Sequence, residues 1–163
     1  MSYVLGSRRV IDTDVTPVIP HGFTLLEHRS NGKLNITKAN IALGWYRDQF
    51  EKGVAVSEVR SYMATSTVAL NATVLDNILM RPELIPYGFN KVLSKGYELL
   101  FWGSVFEYRG NEYVRTMVVK GGKRSSWAKR ISHGLLEWRQ PAVVLNDPTQ
   151  GKEFAFPGEV YHV

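Results

Sequence analysis

The chain contains no cysteine among its 163 residues. Disulfide bonds, cysteine-ligated zinc sites, iron–sulfur clusters and cysteine nucleophiles are therefore all excluded. The absence of cysteine also suits a reducing compartment. Any chemistry or stabilisation has to come from other residue types.

Long apolar runs are missing as well. The longest one falls far below the ~18 residues that a membrane helix requires. No apolar segment follows Arg8 and Arg9 near the N-terminus, so we expect no signal peptide. We therefore expect a cytoplasmic protein with no membrane partner.

The composition is that of an ordinary globular protein. Hydrophobic residues make up 44% of the chain and charged residues 21%. Disorder requires low hydrophobicity together with high net charge, so we reject it for the body of the chain. The length allows one well-formed core, which predicts a single domain over residues 1–163.

Positive charge is concentrated in one segment. The chain has 20 Lys and Arg against 15 Asp and Glu, and residues 115–139 hold seven of the basic residues but only one acid, Glu137. The segment thus carries a net charge of +6, whereas the remainder, with 13 basic and 14 acidic residues, carries −1. Such a basic lobe attracts polyanions or acidic protein surfaces.

The N-terminal region, residues 1–36, is predicted to be irregular or β-structured. The run over 21–28 indicates a short strand. Asn31 and Gly32 form a strong hairpin signal, and 33–36 would be the returning strand. No helix is expected before residue 37.

Helical spacing of apolar residues begins after this region, and we predict that residues 37–86 are helical. Thr37 is a suitable N-cap for a first helix, whose apolar residues would be spaced over 41–50. A second helix is predicted from Ser57, and a third over 71–80 with an apolar stripe.

An antiparallel β-meander is predicted for residues 97–145, where the apolar period changes from helical to alternating. Its strands would be Tyr97–Tyr108, Glu112–Val119, Ser126–Ile131 and, as a fourth, Leu135–Leu136 with Ala142–Leu145. Residues 146–163 are predicted to be a surface loop. The fold class is therefore α+β, with N-terminal and central helices packed on a C-terminal meander of three to four strands.

Several segments are similar to those of small uncharacterised bacterial and phage proteins. The similarity covers roughly residues 70–145 and is carried by Leu70–Leu79, Pro82–Pro86, Leu100–Ser104, Tyr113–Arg115, Trp127, Trp138 and Pro141–Leu145. The resemblance implies a shared module with a leucine-rich helix, a Pro-x-Leu-Ile-Pro hook and a Phe-Trp-Gly strand. It also implies a phage or mobile-element origin, with a virion-associated location as an alternative to the host cytoplasm, but no reaction.

Catalytic motifs are weak throughout the sequence. Ser132 and His133 are adjacent, but no Gly-x-Ser-x-Gly elbow is present, so a polar turn is the simpler interpretation. Glu107 and Glu112 flank one predicted turn, which accounts for them without glycoside chemistry. We predict that the protein is not an enzyme.

Metal and phosphate motifs are also weak. The four histidines, His21, His28, His133 and His162, lack the spacing of a zinc site. The segment Lys120–Lys123 contains two glycines but not the frame of a phosphate-binding loop. We therefore predict no metal and no cofactor.

A binding function remains. We predict a non-enzymatic accessory protein, from a phage or mobile element, that engages an acidic protein partner through the basic β-meander surface. The predicted contact residues are Arg115, Lys120, Lys123, Arg124, Trp127, Lys129 and Arg130.

Two alternatives remain open for the same residues. The surface could bind nucleic acid, since aromatic side chains interleaved with cations are how sheets hold single strands. Alternatively, the cations simply solvate a hairpin tip and protect an edge strand from aggregation.

Overall fold

A computed structural model describes residues 9–36, 41–145, 158 and 160–162. Within these ranges the protein is mostly β, with eleven strands in three sheets and four short α-helices. The predicted arrangement of helices packed on a meander of three to four strands is therefore wrong. The chain order is β1 (Val10–Asp12), β2 (Thr24–His28), β3 (Lys33–Asn35), β4 (Ile41–Gly44), α1 (Gln49–Lys52), β5 (Val54–Ala55), α2 (Val56–Met63), α3 (Ala72–Met80), a 3-10 helix (Pro82–Leu84), α4 (Tyr87–Leu93), β6 (Leu99–Tyr108), β7 (Asn111–Lys120), β8 (Lys123–Arg130), β9 (Leu135–Leu136), β10 (Ala142–Leu145) and β11 (Val160–His162).

The main sheet has seven strands. Six of them follow the order β11–β4–β10–β6–β7–β8, and β2 pairs with the second half of β6. All neighbours are antiparallel except β10 and β6, which run parallel. Two smaller sheets, β1 with β3 and β5 with β9, lie outside it. None of the helices in the described ranges is long and apolar enough to cross a membrane.

The first predicted helix is wrong over much of its length. Ile41–Gly44 forms strand β4, buried throughout and paired with both β10 and β11. A short apolar run fits a buried strand as well as a helix, and here two apolar strand neighbours decide for the strand. Only Gln49–Lys52 is helical, and the predicted cap Thr37 lies outside the described residues.

The C-terminal part also differs from the prediction. β10 does not continue the meander beside β8 but lies between β4 and the start of β6, far along the sheet. β9 leaves the main sheet and pairs with β5. The predicted terminal loop contains strand β11, which pairs with β4, while residues 146–157 lie outside the described part of the chain.

Most other predicted elements are confirmed, but the hairpin predicted at Asn31 and Gly32 is wrong, because β2 pairs with β6 and β3 pairs with β1. α2 and α3 begin within one residue of the predicted starts, and the side chain of Asn71 caps α3 by accepting hydrogen bonds from the backbone of Thr73 and Val74. The hairpin of β6 and β7 and the third strand β8 are present. Helix α4 was not predicted.

Strand β6 is the centre of the fold, and both of its faces are buried as its sequence predicts. On one face, which we call the α3 face, Leu99 and Phe101 pack in a cluster with α3 and α4. On the other, the α2 face, Leu100 and Trp102 pack in a second cluster with α2. Helices thus cover the sheet from both sides.

Gly103 allows the chain after Leu70 to reach the sheet. The register of β6 against β7 shifts between Phe101 and Phe106, and within this irregular stretch the Gly103 N–H donates to the Leu70 carbonyl at 3.0 Å. A Cβ at position 103 would lie 2.7 Å from the backbone nitrogen of Asn71. Because that atom belongs to the backbone, it cannot yield easily.

We expect Gly103→Ala to lower the free energy of unfolding by about 2 kcal/mol or more, since the added methyl group overlaps the start of α3. Equilibrium urea unfolding followed by tryptophan fluorescence measures this. As a control, Ser125→Ala on the partly exposed strand β8 should change the value by less than about 0.5 kcal/mol. Equal midpoints for the two variants would contradict this account of Gly103.

Candidate cationic edge strand

Strand β8 carries most of the predicted contact residues and lies at one end of the main sheet. It pairs with β7 from Lys120 opposite Lys123 to Tyr113 opposite Arg130, without a break in register. Gly121 and Gly122 join the two strands, and their φ angles of 59° and 76° are those of a tight hairpin turn that matches the strand twist. The sequence signal for this turn is confirmed.

The alternation of side chains divides the cations between the two faces of the sheet. Residues directly opposite on paired strands share a face. Lys129 lies opposite Val114, which belongs to the α2-face cluster, whereas Ser126 lies opposite Met117, which belongs to the α3-face cluster. The α2 face therefore carries Lys120, Lys123, Trp127 and Lys129, and the α3 face carries Arg124 and Arg130. These cations therefore lie along one hairpin, four of them on β8 and Lys120 at the end of β7, and do not form one flat surface.

The charges at this edge are not neutralised. Among the described residues, no ion pair involves the cations Lys120, Lys123, Arg124, Lys129 and Arg130. The Arg124 Nε donates to the amide oxygen of Asn90 at 3.2 Å, and Arg130 Nη2 donates to that of Asn111 at 3.0 Å. Both guanidinium groups are held in place by neutral partners and keep their full charge.

Arg115 differs from the other predicted contact residues because it is buried. Its side chain is 8% exposed and its Nη1 lies 2.6 Å from a carboxylate oxygen of Asp76, which is 13% exposed. The same nitrogen donates to the Val18 carbonyl at 3.2 Å, and the other Asp76 oxygen accepts from the Val18 N–H at 2.6 Å. Arg115 therefore joins β7, α3 and the N-terminal segment, and it is not available to a partner.

Trp127 is 48% exposed in the middle of β8. Its indole N–H donates to a carboxylate oxygen of Glu98 at 3.2 Å. Trp138 is 43% exposed and contacts Tyr97 edge to face. Trp127 is thus a large apolar surface between cations, with a negative charge at its rim.

A groove of about 420 Å³ lies beside the hairpin tip on the α3 face. The apolar residues that line it come from the helical region and from β7, namely Leu79, Pro82, Ile85 and Val119. Two cations of β8, Lys123 and Arg124, also line it. Sequence reasoning missed this groove because α4, which supplies Asn90 to its lining, was not predicted. Lys120 and Lys123, which flank the predicted turn at Gly121 and Gly122, lie at this hairpin tip.

A buried polar network holds the start of α3 against the sheet. His28 Nε2 lies 2.9 Å from the Thr13 carbonyl, which can only accept, so Nε2 carries the proton. His28 Nδ1 then accepts from the Ser104 hydroxyl at 2.9 Å, and the same hydroxyl oxygen accepts from the Ala72 N–H at 2.9 Å. Ser104 is fully buried, so this serine–histidine pair is positioned for packing and not for attack on a substrate.

A second polar network lies on the α2 face around Arg60. Its guanidinium binds the carboxylates of Glu27 and Glu112. Burial alone would lower the pKa of Arg60, but the hydrogen bonds to both carboxylates outweigh it and raise the pKa above its ordinary value. Glu27 also binds Arg29, whose pKa is lowered mainly by burial. Glu112, considered above for glycoside chemistry, thus serves to hold α2 against β7.

The remaining candidate residues do not assemble into a site. Ser132 accepts a hydrogen bond from the Glu112 N–H at 2.8 Å, and its neighbour His133 is exposed. In the part of the chain that the structure describes, no three His, Asp or Glu residues gather where they could hold a metal ion.

The chain matches no protein-family model, and no similar protein is found among curated proteins or solved structures. The resemblance over residues 70–145 therefore stays a prediction, and the edge strand has to be interpreted from its own geometry.

We expect Arg115→Met to lower the free energy of unfolding by about 3 kcal/mol, because it leaves the Asp76 carboxylate buried without its cation. Arg124→Met, which removes an exposed cation, should change it by less than about 0.5 kcal/mol. Urea unfolding of both variants measures the difference. Adding Asp76→Leu to Arg115→Met should restore part of the loss, since the double variant has no buried lone charge. Equal stabilities for the two single variants would show that the ion pair does not support the fold.

Proposed function

We propose that this protein is a non-enzymatic binding protein that engages an acidic segment of a protein partner through strand β8. The observation that carries the proposal is the set of five cations at this edge, none of which has a carboxylate partner among the described residues. Uncompensated charge of one sign attracts and orients a partner of the opposite sign.

The aromatic residue at the centre of the strand supports a specific contact. Trp127 lies between Lys123 and Lys129 on the α2 face and is half-exposed. Tryptophan and arginine are the residues that most often dominate binding energy in protein interfaces. A surface that only needed to remain soluble would gain nothing from an exposed indole here.

One feature favours a protein partner over nucleic acid. Single-stranded nucleic acid binds where cations and stacking aromatics share one surface, whereas Arg124 and Arg130 lie on the opposite face from Trp127.

Nucleic acid remains the second candidate. The observation in its favour is the order of Lys123, Trp127 and Lys129 along the α2 face, which places one cation on each side of an indole on which a base could stack. The phage or mobile-element setting of the protein rests on the resemblance alone.

The test is a charge reversal that leaves the fold intact. The quadruple variant Lys123→Glu, Arg124→Glu, Lys129→Glu and Arg130→Glu should bind a fluorescent twelve-residue peptide of repeated Glu-Glu-Thr-Thr units, which places carboxylates on both faces of a strand, at least about tenfold more weakly than the wild type. Its thermal midpoint should stay nearly unchanged. Fluorescence anisotropy at low salt measures the binding.

A matched control carries the same change of net charge elsewhere. Lys33, Arg47, Lys52 and Lys95 are exposed and lie outside β8, so their reversal should weaken binding much less. Equal loss in both variants, or no peptide binding at all, would overturn the proposal. Tighter binding of a single-stranded twelve-nucleotide DNA than of the peptide, with affinity falling linearly on a log–log salt plot, would establish the nucleic-acid alternative instead.

A further inference from the structure

The outer edge of β8 presents backbone groups that no strand of the described residues pairs with. In a hairpin closed by a two-residue turn, the residues that flank the turn exchange hydrogen bonds with each other, and every second pair after them does the same. From Lys120 opposite Lys123, the inward-bonded residues of β8 are those with odd numbers. The Ile131 N–H, which donates to the Glu112 carbonyl at 2.8 Å, continues the same alternation.

The even-numbered residues of β8 therefore direct their N–H and C=O groups away from β7. These residues are Arg124, Ser126, Ala128 and Arg130. No strand among the described residues pairs with this edge. Four alternate residues thus offer a hydrogen-bonding template over the eight-residue length of the strand.

This edge lacks most of the devices that protect edge strands. Such strands are commonly shortened, bulged or interrupted by proline. β8 contains no proline and pairs with β7 in unbroken register over all its residues. Its one protective device is charge.

The same charge decides which strand can add here. A second copy of β8 placed antiparallel would bring Lys and Arg side chains opposite one another, and like charges directly opposite are destabilising. An acidic strand instead places carboxylates beside Lys123 and Lys129 on one face and beside Arg124 and Arg130 on the other. Because side chains of an added strand also alternate, both faces are used at once.

We infer that β8 binds its partner by strand addition: an extended acidic segment of another protein pairs with the outer edge of β8 and extends the main sheet by one strand. The inference rests on the proposed function and specifies how the cationic edge is used. Backbone hydrogen bonds would supply affinity, and the charges on both faces would select acidic sequences.

The test removes an outward N–H group while keeping every charge. Ala128→Pro deletes one outward donor and no bond to β7, because the residue 128 amide faces away from β7, where an edge strand tolerates proline. We expect this variant to bind the Glu-Glu-Thr-Thr peptide about tenfold more weakly than the wild type. Its far-ultraviolet circular dichroism and thermal midpoint should match those of the wild type.

A peptide control avoids any change in the protein. A Glu-Glu-Thr-Thr peptide methylated on every second backbone nitrogen keeps its charge but loses the donors on one edge, and a second peptide methylated at the other nitrogens loses those on the opposite edge. The peptide whose methylated nitrogens face β8 should bind at least about tenfold more weakly than its counterpart, whose free N–H groups face β8.

Hydrogen–deuterium exchange gives a direct readout on the wild type. The amides of Arg124, Ser126 and Ala128 should exchange rapidly in the free protein and become protected when the unmodified peptide binds, whereas the amide of Trp127 should be protected in both states. Strand addition would be overturned if charge reversal weakens binding but Ala128→Pro and peptide methylation do not, and if the peptide leaves the exchange of the β8 amides unchanged. The proposed function would then still stand. Binding that survives charge reversal would overturn both.

Discussion

The fold depends on the close approach of two backbones at Gly103. There the chain from Leu70 to Asn71 meets the irregular stretch of β6, and any side chain would separate them. This contact fixes the start of α3, which in turn places Asp76 against Arg115 of β7. Strand β8 is held through β7, so the position of the cationic edge follows from a contact on the other side of the central strand.

Sequence patterns predicted the elements whose buried faces are recognisable from the residues of that element alone. Helix α3 has a capping asparagine at its first turn and an apolar stripe, and β6 is apolar on both faces, so each is identifiable without knowing its neighbours. Ile41–Gly44 is different, because four buried residues fit either a helix or a strand. Only β10 and β11, which follow about a hundred residues later, determine that it is a strand.

The candidate site was predicted in part for the same reason. The charge run identified β8, but strand alternation divided its cations between two faces and placed Arg115 inside. One signal for Arg115 was present in the sequence, since Asp76 is the only charged residue between Val68 and Met80. An isolated acid on an apolar helix requires a cation. Which cation pairs with it depends on a tertiary contact, and no local sequence pattern encodes that contact.

On the proposed function, the charges of β8 serve two purposes, because the same residues that discourage aggregation would also favour an acidic partner. The details of the side chains distinguish them. Protection against self-pairing needs only mobile, solvated charges, whereas Arg124 and Arg130 are each held by a neutral amide. Fixing a guanidinium without neutralising it costs side-chain entropy, and under the proposed function a partner carboxylate would offset that cost by meeting a group already in place.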